Sequence, residues 1–245
     1  MPSFTVKIAD ELFQVSPANP YAVEHLLNFI ADEPGGVPIS VTDEIKRMIV
    51  QKLCADEELH GTRPGYYGFG KRELFAYLYL ISRYMLTKDT LLVHGSAVVT
   101  GGKAYLFIAP SGTGKSTHTS LWCEVLGEKA FVINDDKPFL RPTADGIITF
   151  ATPWGLVDKP PADRAPVAAI IDMTRGSETK LYEVSPSEFI LPLYKASVHG
   201  ETPEEAKTVM RLIQEVLNSV RLYKMTCTPD AEAAKAAIAV LTENE

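Results

Sequence analysis

Beyond position 90 the apolar residues occur in short runs that alternate with amphipathic stretches and turns. Such runs are typical of buried strands, whereas apolar residues spaced three to four positions apart predict helices. The predicted strands are Leu91–Val99, Ala104–Ile108, Ala130–Asn134, Ile147–Ala151, Val167–Met173 and Arg221–Cys227. A helix predicted from Ser116 to Leu126 separates the second strand from the third. This alternation predicts an α/β fold over residues 91–245.

Two later helix starts are marked by their capping residues. Ser185–Glu188 and Thr202–Glu205 each combine a hydroxyl residue, a proline at the first helical position and a glutamate three residues on. This pattern is the capping box, with a proline that pre-sets the backbone φ angle. Thr228-Pro229-Asp230 opens a last helix in a similar way.

The first 90 residues have a different pattern, which predicts a small α+β region. Phe4, Val6 and Ile8 alternate with polar residues and predict a hairpin strand, and Asn19-Pro20 begins a helix. Further predicted elements are a short strand at Val37–Val41, a helix ending near Leu53 and an apolar helix at Arg72–Leu86. No constellation of chemically active residues occurs here, so a scaffold or substrate-recognition role is expected.

Composition narrows the functional classes. The chain has 245 residues, 46% of them hydrophobic, with a formal net charge of −7. An acidic chain without clustered Lys and Arg argues against nucleic acid as a partner. No apolar run approaches the ~20 residues that span a membrane. Cys54, Cys123 and Cys227 are widely separated and form no C-x-x-C pair, as expected for reduced thiols in a cytoplasmic protein.

The most informative motif lies directly after the strand Ala104–Ile108. Residues 109–116 read APSGTGKS and match the phosphate-binding loop G-x-x-x-x-G-K-[ST], except that Ala109 holds the first glycine position. Backbone N–H groups of Ser111, Gly112, Thr113, Gly114 and Thr117 are predicted to surround phosphate oxygens. Lys115 supplies a cation and Ser116 supplies a Mg²⁺ ligand. The N-terminus of the helix adds a partial positive charge. The alternative, a glycine-rich surface turn, does not explain why strand, loop and helix follow in the required order.

A second acidic element follows the strand Ala130–Asn134. Asp135 and Asp136 stand at its carboxyl end, about twenty residues after Lys115. Mg²⁺ prefers hard oxygen ligands, so one carboxylate can complete a metal site with Ser116 and phosphate oxygens. The other can orient or deprotonate an acceptor hydroxyl. An exposed acidic turn is the alternative, and the position at a strand end argues against it.

Taken together, these segments resemble a known family. His94-Gly95, the loop APSGTGKST, the stretch INDDKPFLR and Thr152–Trp154 occur in the order found in the catalytic domain of HPr kinase/phosphorylase and its kinase-like relatives. The resemblance covers roughly residues 90–240. It implies a P-loop core with a mixed sheet and flanking helices, similar to the nucleotide core of phosphoenolpyruvate carboxykinase. Residues 1–90 do not resemble the N-terminal domain of the bifunctional enzyme.

The resemblance also implies roles for individual residues. Asp135 matches the family's catalytic carboxylate, Asp136 would support the metal, and His94 matches a histidine beside the active site. A lone histidine on a strand is equally compatible with a structural role. Arg141 is expected either to reach a phosphate or to pair with an acidic neighbour. The implied cofactors are ATP and Mg²⁺, and the choice of ATP over GTP comes from the resemblance alone.

The chain departs from the family after Trp154, which is either a core anchor or a substrate platform. Relatives usually continue with a glycine–lysine pair and an asparagine, whereas residues 155–163 here read GLVDKPPAD. Lys159 is the candidate substitute for the family's lysine, at an altered spacing. The departure concerns the acceptor side of the site, and the acceptor itself is not identified.

Three functions follow from these features. The first is an ATP- and Mg²⁺-dependent kinase that phosphorylates a hydroxyl of a protein, a peptide or a small molecule. The second is a bifunctional kinase/phosphorylase, and the third is a nucleotide-binding regulatory or scaffold protein without transfer activity. A carboxykinase is disfavoured because the chain is short and shows no arginine cluster. Related enzymes often form homo-oligomers, although no interface signature is visible in this sequence.

Overall fold

The computed structural model describes residues 3–60, 68–155 and 158–242. Its contacts divide the chain into two compact units, Met1–Tyr84 and Met85–Glu245. The first contains a three-stranded sheet in the order β1-β2-β3 and most of three helices. Their bounds are β1 Phe4–Ile8, β2 Glu11–Val15, α1 Pro20–Leu27, β3 Val37–Pro38, α2 Asp43–His60 and α3 Phe69–Leu86.

The predicted hairpin at the start of the chain is confirmed. β1 and β2 pair antiparallel and are joined by Ala9 and Asp10, both of which have positive φ. Two such residues form the tight turn whose twist matches that of the flanking strands. The third strand is shorter than predicted, since it ends at Pro38. Residues 61–67 of the glycine-rich segment after α2 lie outside the described residues.

The second unit is built on a nine-stranded mixed sheet with helices against it. Its strands are β4 Leu91–Leu92, β5 Gly95–Thr100, β6 Lys103–Ile108, β7 Ala130–Asn134, β8 Phe139–Thr143, β9 Gly146–Phe150, β10 Arg164–Arg175, β11 Lys180–Glu183 and β12 Arg221–Cys227. Its helices are α4 Lys115–Leu126, α5 Pro186–Ala196, α6 Pro203–Ser219 and α7 Ala231–Thr242. This mixed α/β architecture with flanking helices agrees with the predicted class.

The long strand β10 joins the two parts of this sheet. Its first residues pair antiparallel with β9, and its later residues pair parallel with β6 and with β12. Beyond β6 the order continues through antiparallel β5 to β7, so β7 runs parallel to β6. The carboxyl ends of β6, β7, β10 and β12 therefore lie at one edge of the sheet, where ligands bind in open α/β folds.

One face of the sheet is covered by α4 and α7. Tyr105 and Phe107 of β6 pack against Trp122 of α4, with ring centroids 5.1 and 5.7 Å apart. All three are fully buried, as are the small residues with which α7 faces the same cluster. Such close packing holds α4, and with it the loop before it, at a defined position relative to β6.

Several strands differ from the sequence prediction. The predicted strand Leu91–Val99 is two strands, because β4 pairs with β8 whereas β5 pairs with β6 and β7. Between them, the N–H of His94 donates to the carbonyl of Ala196 at 2.6 Å. β8 and β11 were not predicted, whereas Arg221–Cys227 was predicted with its observed bounds.

Of the three cysteines, Cys227 is buried, Cys123 is half-buried and neither is in a disulfide. The side chain of Cys54 lies outside the described residues. No helix in the described part of the chain is both long and apolar enough to cross a membrane.

Candidate functional site

The glycine loop connects the end of β6 to the start of α4. Gly112 and Gly114 have φ of +75° and +110°. A Cβ built on either glycine would meet no atom within 4 Å, so the requirement for glycine is conformational, not steric. A residue with a Cβ pays roughly 1–2 kcal/mol in such a left-handed conformation. The sequence therefore places its glycines where the backbone makes the turns of the loop.

Lys115 is the first residue of α4, and its side chain folds back across the loop. Nζ donates to the carbonyls of Ala109 at 2.9 Å and Pro110 at 3.3 Å, and the residue is only 6% exposed. Burial, with a contribution from nearby Lys137, lowers the pKa of Lys115 to about 8. An anion bound at the loop would favour the charged form further and could take the place of these carbonyls as the acceptor for Nζ.

The start of α4 also presents backbone donors. Gly114 is the N-cap residue and supplies no side-chain cap. The first N–H groups of a helix have no partner within the helix, and they carry the positive end of its dipole. Together with Lys115 they make the loop a favourable position for a phosphate group.

Asp135 directly follows β7, and its side chain lies beside the start of α4. Its Oδ1 accepts a hydrogen bond from Ser96 Oγ at 2.9 Å, and the Ser116 side chain lies near its carboxylate. The Ser96 hydroxyl lies 2.7 Å from that of Thr119 on α4. Burial raises the pKa of Asp135, while both serines oppose that rise. The structure thus brings together Lys115, Ser116 and Asp135, which the sequence analysis predicted as site residues.

Asp136 has a different environment from Asp135. Its Oδ1 lies 2.7 Å from Lys137 Nζ and 3.4 Å from His94 Nε2. The side chains of Asp136 and His94 are 37% and 33% exposed, so both are accessible to solvent. The structure thus places His94 beside Asp136.

A hydrogen-bonded turn holds the two aspartates. The side-chain carbonyl of Asn134 accepts from the backbone N–H of Asp136 at 3.1 Å and of Lys137 at 2.8 Å. Its amide donates to Thr152, at 2.9 Å to Oγ1 and 3.1 Å to the carbonyl. Asparagine bonding to backbone two residues ahead is a common turn device. The segment that begins at Thr152 therefore supports the acidic turn.

Trp154 and Gly155 continue this support. Trp154 is 2% exposed and packs edge-on against Phe139 at 6.4 Å, so it is a core anchor. A Cβ on Gly155 would lie 3.3 Å from the backbone N of Asp135, which is tighter than an ordinary contact. Lys159 is exposed, and residues 156–157 of the divergent segment lie outside the described residues.

Arg141 lies in the hairpin formed by β8 and β9. Its Nε donates to Thr90 Oγ1 at 2.8 Å, and its guanidinium lies over the ring of Phe150 at 4.8 Å. These contacts explain its position within the hairpin without a ligand.

Sequence reasoning missed four polar residues of the site. Ser96 and Thr119 link β5 and α4 to Asp135, Lys137 pairs with Asp136, and Arg175 contacts the loop. Arg175 donates through Nη2 to the carbonyl of Gly112 at 2.6 Å and through Nε to that of Thr113 at 3.0 Å. Lys137 had a sequence signal, since it follows the acidic pair directly. Ser96 and Arg175 are brought in by strand pairing and Thr119 by the packing of α4 against the sheet, which no local pattern marks.

The residues fit a divalent metal only with help from a substrate. No group of three or more His, Cys, Asp or Glu side chains in the described part of the chain could hold an ion. The Ser116 hydroxyl and the Asp135 carboxylate are hard oxygen donors. Two protein donors suit Mg²⁺, which is commonly held by one or two protein ligands together with phosphate oxygens and water.

Comparisons with known proteins give little further information. No protein-family model matches the chain, and no curated protein matches it. Among solved structures, it is similar to the HPr(Ser) kinase/phosphatase from Coxiella burnetii, with a TM-score of 0.36 and 12% sequence identity. The similarity covers 62% of this chain and 94% of that one. At this level the likeness carries no argument about the chemistry of this chain.

Proposed function

We propose that this protein is a phosphotransferase that moves the γ-phosphoryl group of ATP to a hydroxyl acceptor. The observation that carries the proposal is the convergence of Lys115, Ser116 and Asp135 at the carboxyl end of the strand that precedes the glycine loop. An isolated anion site would need only the loop. The Ser116 hydroxyl close to the half-buried carboxylate of Asp135 adds a pair of oxygen donors suited to a metal–nucleotide complex.

The loop and Lys115 bind the triphosphate in this proposal. Lys115 leaves the carbonyls of Ala109 and Pro110 and donates to phosphate oxygens, where its charge opposes the negative charge of the transition state. Ser116 and Asp135 would hold Mg²⁺, which would supply positive charge to neutralise the phosphate groups when bound. Our proposal therefore gives the metal role to Asp135, whereas the family resemblance gives it to Asp136.

Asp136 and His94 serve the acceptor. The bond between the γ-phosphorus and the bridging oxygen of ADP breaks, and a bond from the phosphorus to the acceptor oxygen forms. The hydroxyl proton passes to the Asp136–His94 pair, and ADP leaves with the electrons of the broken bond. The accessible position of this pair, next to an Asp135 whose carboxylate accepts from Ser96 and lies near Ser116, supports this division of roles.

The proposal is tested by an acceptor screen with labelled ATP across serine peptides, HPr-like proteins, free amino acids and polyols. With an active acceptor, Asp136→Asn should lower kcat about 100-fold or more, as expected for the loss of a proton acceptor. Asp135→Asn should raise the Mg²⁺ concentration needed for half-maximal rate about 10-fold or more. Asp145→Asn, in the exposed turn between β8 and β9, is the control and should leave kcat and the Mg²⁺ requirement unchanged.

Two outcomes would overturn parts of the proposal. If Asp135→Asn lowers kcat at an unchanged Mg²⁺ requirement, Asp135 acts on the acceptor, as the family resemblance implies. If ATP binds but no acceptor class is phosphorylated, the protein is a nucleotide-binding regulator. The divergent residues 155–163 are the observation that favours this second function. A reverse reaction with phosphate or pyrophosphate is detected in the same assay by loss of label from a phosphorylated acceptor.

A further inference from the structure

A cavity of about 180 Å³ opens beside the glycine loop, on the side away from the two aspartates in the sheet order. One wall comes from the loop and α4, including Gly114, Thr117 and Leu121. The other wall comes from the carboxyl ends of β10 and β12, including Arg175 and Thr228. None of the functions assigned above uses this space.

The cavity is continuous with the loop because the two share residues. Thr113 and Gly114 belong to the loop, and both line the cavity. A molecule whose phosphates occupy the loop can therefore extend its other end between α4 and the strand ends. Pockets that hold a complete drug-sized ligand are ~300–1,000 Å³, so this cavity suits one ring system with the remainder of the molecule outside it.

The chemistry of the walls suits a flat heterocycle. Leu121 and Pro229 are apolar, and Arg175 presents a guanidinium that is held in place by two backbone carbonyls of the loop. A planar guanidinium stacks well on aromatic rings. No acidic residue is among those that line the cavity. Guanine presents two adjacent donors, N1–H and the N2 amino group, which a carboxylate accepts best as a pair, whereas adenine has no such pair, so these walls favour adenine.

Arg175 also couples the cavity to the loop. In a trans peptide the C=O and the following N–H point in opposite directions. Because Arg175 binds the carbonyl of Thr113, the N–H of Gly114 is directed away from Arg175. The same side chain thus borders the cavity and orients a backbone donor of the phosphate loop.

We propose that this cavity is the base-binding subsite for an adenine nucleotide and that Arg175 is a positioning residue for the loop. The inference rests on the proposed binding of a triphosphate at residues 109–117. It adds a second point of attachment, which accounts for selection of a nucleoside triphosphate over an inorganic polyphosphate and of adenine over guanine.

Isothermal titration calorimetry in Mg²⁺ with ATP, GTP and inorganic tripolyphosphate tests the inference on the full chain. We expect ATP to bind at least 10-fold more tightly than tripolyphosphate and at least 5-fold more tightly than GTP. Leu121→Trp should fill the cavity and lower ATP affinity at least 10-fold while tripolyphosphate affinity changes less than 2-fold. Val125→Trp, one turn further along α4 and similarly half-buried, should change neither affinity.

Arg175→Ala should lower the affinity for both ligands because the change affects the loop as well as the cavity. The loss should be larger for ATP than for tripolyphosphate. Thermal unfolding identifies any variant that fails to fold, and Leu121→Phe is the smaller replacement in that case. Equal affinities of the unmodified protein for ATP and tripolyphosphate would overturn the proposed base subsite without contradicting phosphate binding by the loop. Failure of both ligands to bind would overturn the proposed function itself.

Discussion

At the scale of single residues, burial changes the chemistry of two neighbours on α4. Lys115 is nearly enclosed and its pKa falls to about 8. His118, 2% exposed, lies edge-on to Phe107 at 4.8 Å and accepts a hydrogen bond at Nε2 from Trp122 Nε1 at 3.2 Å. Burial lowers the pKa of His118 to about 4, so its imidazole is neutral at physiological pH.

His118 is predicted to make the stability of the protein depend on pH. Because its pKa of about 4 in the folded protein lies below the ordinary histidine value of 6.5, the unfolded chain binds more protons between these values. Its contribution is fully present above about pH 6.5 and is lost as the pH falls toward 4, by up to about 3 kcal/mol. Urea unfolding of the native protein and His118→Gln from pH 7.5 to 5 measures this difference.

In that experiment the free energy of unfolding of His118→Gln should lack this slope, so the two pH profiles converge or cross toward low pH. His199→Gln, at an exposed histidine stacked on Tyr194, is the control and should parallel the native profile. Parallel profiles for the native protein and His118→Gln would contradict the prediction.

At the scale of elements, helix starts are determined by local chemistry. The capping box at α6 is complete. Thr202 Oγ1 accepts from the backbone N–H of Glu205 at 3.2 Å, and the Glu205 carboxylate accepts from the backbone N–H of Thr202 at 3.3 Å. At α5, the Glu188 carboxylate accepts from the N–H of Ser185 at 3.2 Å. At α1, Asn19 Oδ1 caps the helix by accepting from the N–H of Tyr21 at 3.0 Å. Glu73 of α3 also accepts from the N–H groups of Ala18 and Asn19, a contact that no local pattern predicts.

Removal of the cap of α6 should cost about 1 kcal/mol. Thr202→Ala leaves the N–H of Glu205 without its side-chain acceptor, and the loss of an N-cap hydroxyl typically has this effect. Chemical denaturation monitored by circular dichroism measures the change. Lys207→Ala on the exposed surface of the same helix is the control, and an equal effect of both substitutions would contradict a role for the cap.

At the scale of the whole molecule, the candidate site depends on strands that are distant in sequence. β10 lies parallel beside the strand that leads into the loop and delivers Arg175 to it, whereas β7 delivers the aspartates from two strands away. Because the site draws on several strands, a ligand bound there should stabilise the folded chain against unfolding.

Mg²⁺ and ATP should therefore raise the melting temperature. At a free ligand concentration about 100 times Kd, binding to the folded state adds about 2.7 kcal/mol. For a chain of this size the shift is roughly 5–10 °C. Lys115→Met should abolish most of the shift in differential scanning fluorimetry, whereas exposed Lys129→Met should retain it. Equal shifts in both variants would exclude Lys115 from the binding site.

The sequence by itself determined the features that short-range physics controls. Helix caps, the hairpin turn at Ala9-Asp10, the strand–loop–helix order around Lys115 and the acidic pair after β7 all follow from residues close together in the chain. Tertiary structure alone decided the break between β4 and β5 and the approach of Ser96, Thr119 and Arg175 to the site. The reason is that strand pairing and burial depend on partners many residues away, and no local sequence pattern identifies those partners.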